Sequence, residues 1–88
     1  MTSPYYRNTV DGPRPTAAGL GLLVGLPVGV VEAERDRQAG GDPDAVFTMP
    51  RAWTRRSRRN TQKARAALGY HAPLVEVLDW LAERSADR

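Results

Sequence analysis

A chain of 88 residues makes one small domain at most, and it buries only roughly 60–65% of the surface its unfolded form exposes. Without cysteine, neither a disulfide framework nor a thiolate metal site can staple the fold. The net charge of +3 is modest, but its distribution is not. Residues 51–72 carry six Arg, one Lys and no acid, whereas residues 16–50 carry five acids against two Arg. Nearly all the positive field therefore comes from one stretch of 22 residues.

His71 is the only histidine, and Tyr70-His71-Ala72-Pro73 reads as a turn. A zinc or iron site, and a Ser–His–Asp or Cys–His arrangement, would need this His among further polar partners, which this setting does not offer. The expectation is a protein that is not an enzyme and uses no metal or cofactor. Arg outnumbers Lys twelve to one, Ile is absent, and Ala, Gly and Pro abound. These are residues of GC-rich codons, which points by association to an actinobacterium or one of its phages. Codon usage explains the preference for Arg but not its clustering.

Residues 1–15 (MTSPYYRNTVDGPRP) read as an extended arm. Pro4, Pro13 and Pro15 exclude a helix interior, and Asp11-Gly12-Pro13 is turn chemistry. Tyr5 and Tyr6 beside Arg7 are placed to stack on bases or dock in a partner's groove, or else belong to an ordinary tail.

Residues 16–39 form a Gly-rich apolar segment with a charged end. Ala17 to Val31 lacks any polar side chain and admits three readings. Leu20, Leu22, Val24, Leu26, Val28 and Val30 share one parity, which favours a strand or tight hairpin, with Pro27 at an edge or bend. Ala17, Gly21, Gly25, Gly29 and Ala33 form a small-residue ladder suited to a short membrane helix, although fifteen residues span about 22 Å of a core of about 30 Å. Arg7 and Arg14 ahead of the apolar run, with Val31-Glu32-Ala33 after it, loosely fit a secretory signal. A water-soluble helix ranks last, because each interior Gly costs roughly 1 kcal/mol and Pro27 about 3.

Glu32 to Gln38 alternates in charge as a solvated turn of helix or extension, and residues 40–50 are a linker broken by Gly40-Gly41-Asp42-Pro43. Val46, Phe47 and Met49 in that linker are an apolar foot that can pack under the C-terminal helices.

Residues 51–88 are expected to form a helical hairpin with a basic first helix. Pro50 precedes Arg51–Leu68, good helix formers fill it, and Gly69 stops it. At 100° per residue, Trp53, Ser57, Asn60, Ala64, Ala67 and Leu68 share one side. Arg51, Arg55, Arg56, Arg58, Arg59, Lys63 and Arg65 cover the other half of the cylinder. A second helix over residues 72–86 carries Leu74, Val75, Val77, Leu78, Leu81 and Ala82 on one stripe, with Glu76, Asp79 and Glu83 opposite. The short connection makes the pair antiparallel, and its apolar face exceeds what the first helix covers. The N-terminal segment or a partner must complete that core.

Like charges at i,i+4, such as Arg51/Arg55 and Arg55/Arg59, destabilise an isolated helix by a few tenths of a kcal/mol each, and a polyanion removes the penalty. Arg adds planar, bidentate donors suited to phosphate. The seven cations are accordingly the candidate nucleic-acid-binding residues. Thr54-Arg55-Arg56-Ser57-Arg58-Arg59 with Lys63 resembles the arginine-rich helices of phage antitermination peptides, which implies an RNA-hairpin partner. Arg59-Asn60-Thr61 with Ala64-Arg65 resembles part of a leucine-zipper basic region, which implies DNA. Each resemblance covers about a dozen residues, the stretch is internal rather than N-terminal, and no heptad zipper follows Gly69.

Two other partners compete for the cations. Acids of Glu76, Asp79 and Glu83, or of residues 32–44, can face them inside the fold or across an oligomer, as can an acidic protein surface. Anionic lipid can do so if residues 17–31 lie in a membrane. The overall expectation is a mainly α protein: an extended arm, a Gly-rich apolar segment and a C-terminal antiparallel helical hairpin. It would be a non-catalytic, nucleic-acid-associated or structural subunit of a larger assembly, of phage type or otherwise, cytoplasmic or virion-associated. The alternative is a short single-pass accessory subunit of an actinobacterial inner membrane, with its basic half in the cytoplasm.

Overall fold

Prolines and glycines divide the chain into short elements, and the computed structural model describes residues 3–86 of it. Two strands, β1 (Tyr6–Thr9) and β2 (Gly12–Pro15), pair antiparallel with Arg7 opposite Arg14 and Thr9 opposite Gly12. Four helices follow: α1 (Ala17–Val24), α2 (Val28–Ala39), α3 (Arg51–Leu68) and α4 (Leu74–Ala86). The protein is mainly helical, and the N-terminal arm is a small hairpin rather than a loose tail. The Asp11-Gly12-Pro13 turn signal marks where that hairpin reverses.

Residues 17–31 correct the sequence-based expectation. They form neither a strand nor a single straight helix; α1 and α2 meet at 113°. Gly25 adopts φ +69° and caps α1, its N–H donating to the Gly21 carbonyl, so a non-glycine residue there would be strained. Pro27 holds the N-cap position of α2, where its missing N–H removes no helical bond. The two breakers thus fall between helices and not inside one. The interior glycines are offset by close backbone approach. A Cβ on Gly19 would lie 1.9 Å from the Tyr5 carbonyl oxygen, and one on Gly21 would lie 2.8 Å from that of Leu26. Of the small-residue ladder, Gly21 thus admits the chain's own backbone, Gly25 faces the Arg56 and Asn60 side chains, and Gly29 meets nothing within 4 Å. Among the described residues no single helix is long and apolar enough to cross a membrane.

The hairpin is tied to α1 through Thr16. Its hydroxyl donates to the Pro4 carbonyl at 2.6 Å and accepts from the Gly19 N–H at 3.2 Å, while its own N–H donates to the Tyr5 carbonyl at 3.1 Å. Thr16 is therefore both the N-cap of α1 and the anchor of the arm. Tyr5 and Tyr6 consequently pack against the core rather than projecting as free aromatics.

The core lies between α1 and the hairpin of α3 and α4. Leu23, Ala64, Ala72, Val77 and Leu78 are buried together, with Leu20, Leu22, Leu74, Trp80 and Leu81 packed around them. The apolar stripe of α4 faces inward as its spacing requires, and α1 completes the surface that α3 alone leaves bare. The linker is folded back by Gln38, whose carboxamide pairs with the Thr48 backbone in both directions, at 2.7 Å and 2.8 Å. Phe47 then meets Trp53 with ring centroids 6.3 Å apart, whereas Val46 stays exposed.

Glu34 accepts from Arg37 through both carboxylate oxygens and from Gln38 at 3.1 Å. These hydrogen bonds, the Arg37 one foremost, hold its pKa down at about 2. A depressed carboxylate stabilises the fold above its ordinary value of 4.5 and loses that contribution as pH falls toward 2. Glu34→Gln should therefore unfold more easily than the parent at pH 7, with the two denaturation curves converging by about pH 2. Leu78, fully buried, is the sharper test of the core. Leu78→Ala should cost about 2–4 kcal/mol in urea unfolding, and coincident curves would contradict the packing described.

Candidate nucleic-acid interface

α3 is a helix of two faces. Ala64 is fully buried, and Trp53, Thr54, Ser57, Asn60 and Thr61 are half-buried around it. Ala67 and Leu68, at the end of the same stripe, are exposed. On the opposite side Arg51, Arg55, Arg58, Arg59, Lys63 and Arg65 are all exposed. At 100° per residue these six occupy an arc of about 160°, and from first to last they rise about 21 Å along the axis.

Arg56 is the seventh cation predicted for this surface, and it sits at the margin of the arc, where the exposed side turns toward α1. Its Nε donates to the Val24 carbonyl at 2.6 Å and its Nη2 to the Gly25 carbonyl at 3.0 Å. One turn on, Asn60 Nδ2 donates to the Leu23 carbonyl at 2.7 Å. Three successive carbonyls at the end of α1, which lack partners within the helix, are thus satisfied by two side chains of α3. The guanidinium also sets positive charge on the negative end of the α1 dipole. The structure therefore commits Arg56 first to the fold. Asn60 lies on the packing stripe as its spacing predicts, but its capping bond has no local sequence signal because its partner lies 37 residues away.

The exposed arc is electrostatically unanswered within the described residues. The ion pairs found there are Arg14–Asp11 and Arg37–Glu34, and neither involves α3. Glu76, Asp79 and Glu83 are exposed on α4, outside salt-bridge reach of the arc. Glu32, Asp36, Asp42 and Asp44 are likewise exposed without pairing to it. The expected alternative of internal neutralisation by these acids is not realised. No group of three or more His, Asp or Glu side chains that could hold a metal occurs among the described residues. His71 is exposed in the turn between α3 and α4.

At the far end of α4, Arg84 lies with its guanidinium carbon 4.3 Å from the centre of the Trp80 ring. This stack fixes the direction of a long cation while leaving its N–H edge free. The i,i+4 spacing of Trp80 and Arg84 is the sequence signal for it, a weaker one than the density of charge in α3.

No protein family, curated protein or solved structure matches this chain. The reading of the surface therefore stands on its own chemistry.

The capping of α1 makes a direct prediction. Asn60→Ala should lower stability by about 1–2 kcal/mol, since it leaves the Leu23 carbonyl without its partner. Gly25→Leu should destabilise as well, through backbone strain at φ +69°, and not through loss of an association between chains. Urea denaturation and sedimentation of both variants separate these outcomes.

Proposed function

We propose that this chain is a non-catalytic nucleic-acid-associated subunit of a larger assembly, and that the exposed arc of α3 grips the phosphate backbone. The observation that carries the reading is six exposed cations on one helical face, with no carboxylate in reach among the described residues. Five of the six are Arg, whose planar donors suit phosphate oxygens better than a point charge does. A rise of about 21 Å corresponds to about six base-pair steps of duplex, and the major groove admits a helix of this width. With its cations turned to phosphate oxygens, the face positions the backbone rather than reading a sequence. A site in the cytoplasm or in a virion of a GC-rich host or its phage is part of the same proposal.

Binding measured by anisotropy should weaken steeply as salt rises. The logarithmic slope should approach −0.9 per neutralised phosphate on duplex DNA, or about −5 if all six cations engage, and about −0.7 per phosphate on single strands. Arg55→Glu with Arg59→Glu should flatten the slope and weaken all sequences about equally. Ser57→Ala, on the packed face, should leave the slope unchanged. A protein that shows no salt-sensitive binding to DNA or RNA at low ionic strength would sink the proposal and return the arc to a protein or lipid partner.

A further inference from the structure

The arc of α3 does not end at solvent on its Arg56 side. Beyond that edge a cleft of about 480 Å³ opens between the α1–α2 turn, α3 and the last turn of α4. Arg56, Asn60, Arg84 and Ser85 supply its polar groups, while Leu26, Pro27 and Leu81 contribute an apolar wall. Among the described residues no carboxylate lines it. Two guanidinium groups share a concave space with that apolar wall, and one of them is held in direction by the Trp80 ring. Arg56 spends two of its donors on α1 and so stands as a fixed positive edge. Arg84 is exposed and keeps its outer N–H groups for a ligand.

A duplex offers phosphates to the α3 arc but keeps its bases stacked inside. An unpaired strand offers phosphates and apolar base faces together, which is the combination this cleft complements. Resting on the proposed function of the α3 face, we infer that the preferred ligand is single-stranded nucleic acid. One nucleotide turns off the arc at Arg59 and Lys63 into the cleft. Its phosphate meets Arg84 beside Arg56, and its base lies against Leu26, Pro27 and Leu81. The cleft thereby selects unpaired strands, while the arc supplies the sequence-independent affinity.

The test compares three labelled probes of one length at 0.1 M salt: single-stranded DNA, single-stranded RNA of the same sequence, and duplex DNA. The parent should bind at least one single-stranded probe about tenfold more tightly than duplex, and whichever of DNA or RNA is tighter names the source. Arg84→Ala should remove that preference while changing duplex affinity less than twofold. Val28→Glu provides a second variant at the mouth of the cleft. Val28 is 43% exposed at the start of α2, where an acid suits the helix dipole, so the fold is retained. It should weaken single strands by about tenfold and duplex much less, given a Debye length of about 10 Å. The parent binding duplex as tightly as single strands, or both variants leaving the preference intact, would overturn the cleft inference while Arg55→Glu/Arg59→Glu still upholds the arc. Failure of all three probes to bind would overturn both.

Discussion

The end of α1 is where the separate parts of this chain are joined. A helix of eight residues cannot hold itself in water, and its last carbonyls have no partners of their own. Arg56 and Asn60 supply those partners from 31 to 37 residues away, and Gly25 turns the chain out of their path. Once α1 is fixed on α3, Leu23 enters the core beside Ala64 and Leu78, and Thr16 at the opposite end carries the β-hairpin with it. The direction of α2 follows from Pro27. Remove the contact and the N-terminal third is held by apolar packing alone, through Leu20, Leu22, Leu23 and the two tyrosines.

What the sequence reveals, and what it hides, divides along this contact. α3 and α4 are legible because their signals are local: Pro50 before, Gly69 after, a stripe of six apolar positions, and cations at helical spacing. The arm is legible as extended from its prolines, and its reversal from Asp11-Gly12. The apolar segment is not. Its alternation of large residues with glycine satisfies a period of two, and propensity alone ranks an aqueous helix last. The deciding facts are non-local. The Tyr5 carbonyl crosses Gly19 and the Leu26 carbonyl crosses Gly21, so what looks like a weak helix is a helix cut away to admit backbone. Propensity scales, measured on isolated helices, contain no such term.

The candidate site is legible as composition but not as geometry. Seven cations on one helix can be counted from the sequence, yet one of them caps a neighbour and its position in the fold decides that role. Arg56 differs from Arg55 and Arg59 only in its angle around α3, which places it toward α1. The same angle sets it at the border between the basic arc and the cleft that contains Arg84. A residue can thus close the fold with part of its guanidinium and shape a surface with the remainder, because five N–H donors exceed what two carbonyls accept.

α3 itself is built against the usual rules for a stable helix. No side chain caps its N-terminus, no acid occupies its first turn, and Arg51 stands at the positive end of its dipole. Like charges face one another at Arg51/Arg55, Arg55/Arg59 and Arg59/Lys63. Only Arg65, in the last turn, lies where a cation favours the dipole. Elsewhere the chain does use these devices. Thr16 caps α1, Glu76 enters the first turn of α4, and Arg37 and Arg84 sit in the last turns of their helices. α2 likewise lacks a side-chain cap and a first-turn acid, so what sets α3 apart is its run of like charges along one face, unpaired among the described residues, a local inconsistency of the kind often found at functional surfaces. Packing of Ala64 and Trp53 keeps α3 helical despite the repulsion, so the charges remain ordered on one face before any ligand arrives. For a proposed polyanion partner, that ordering removes part of the entropy cost of binding, and neutralising the arc relieves the repulsion in the same step.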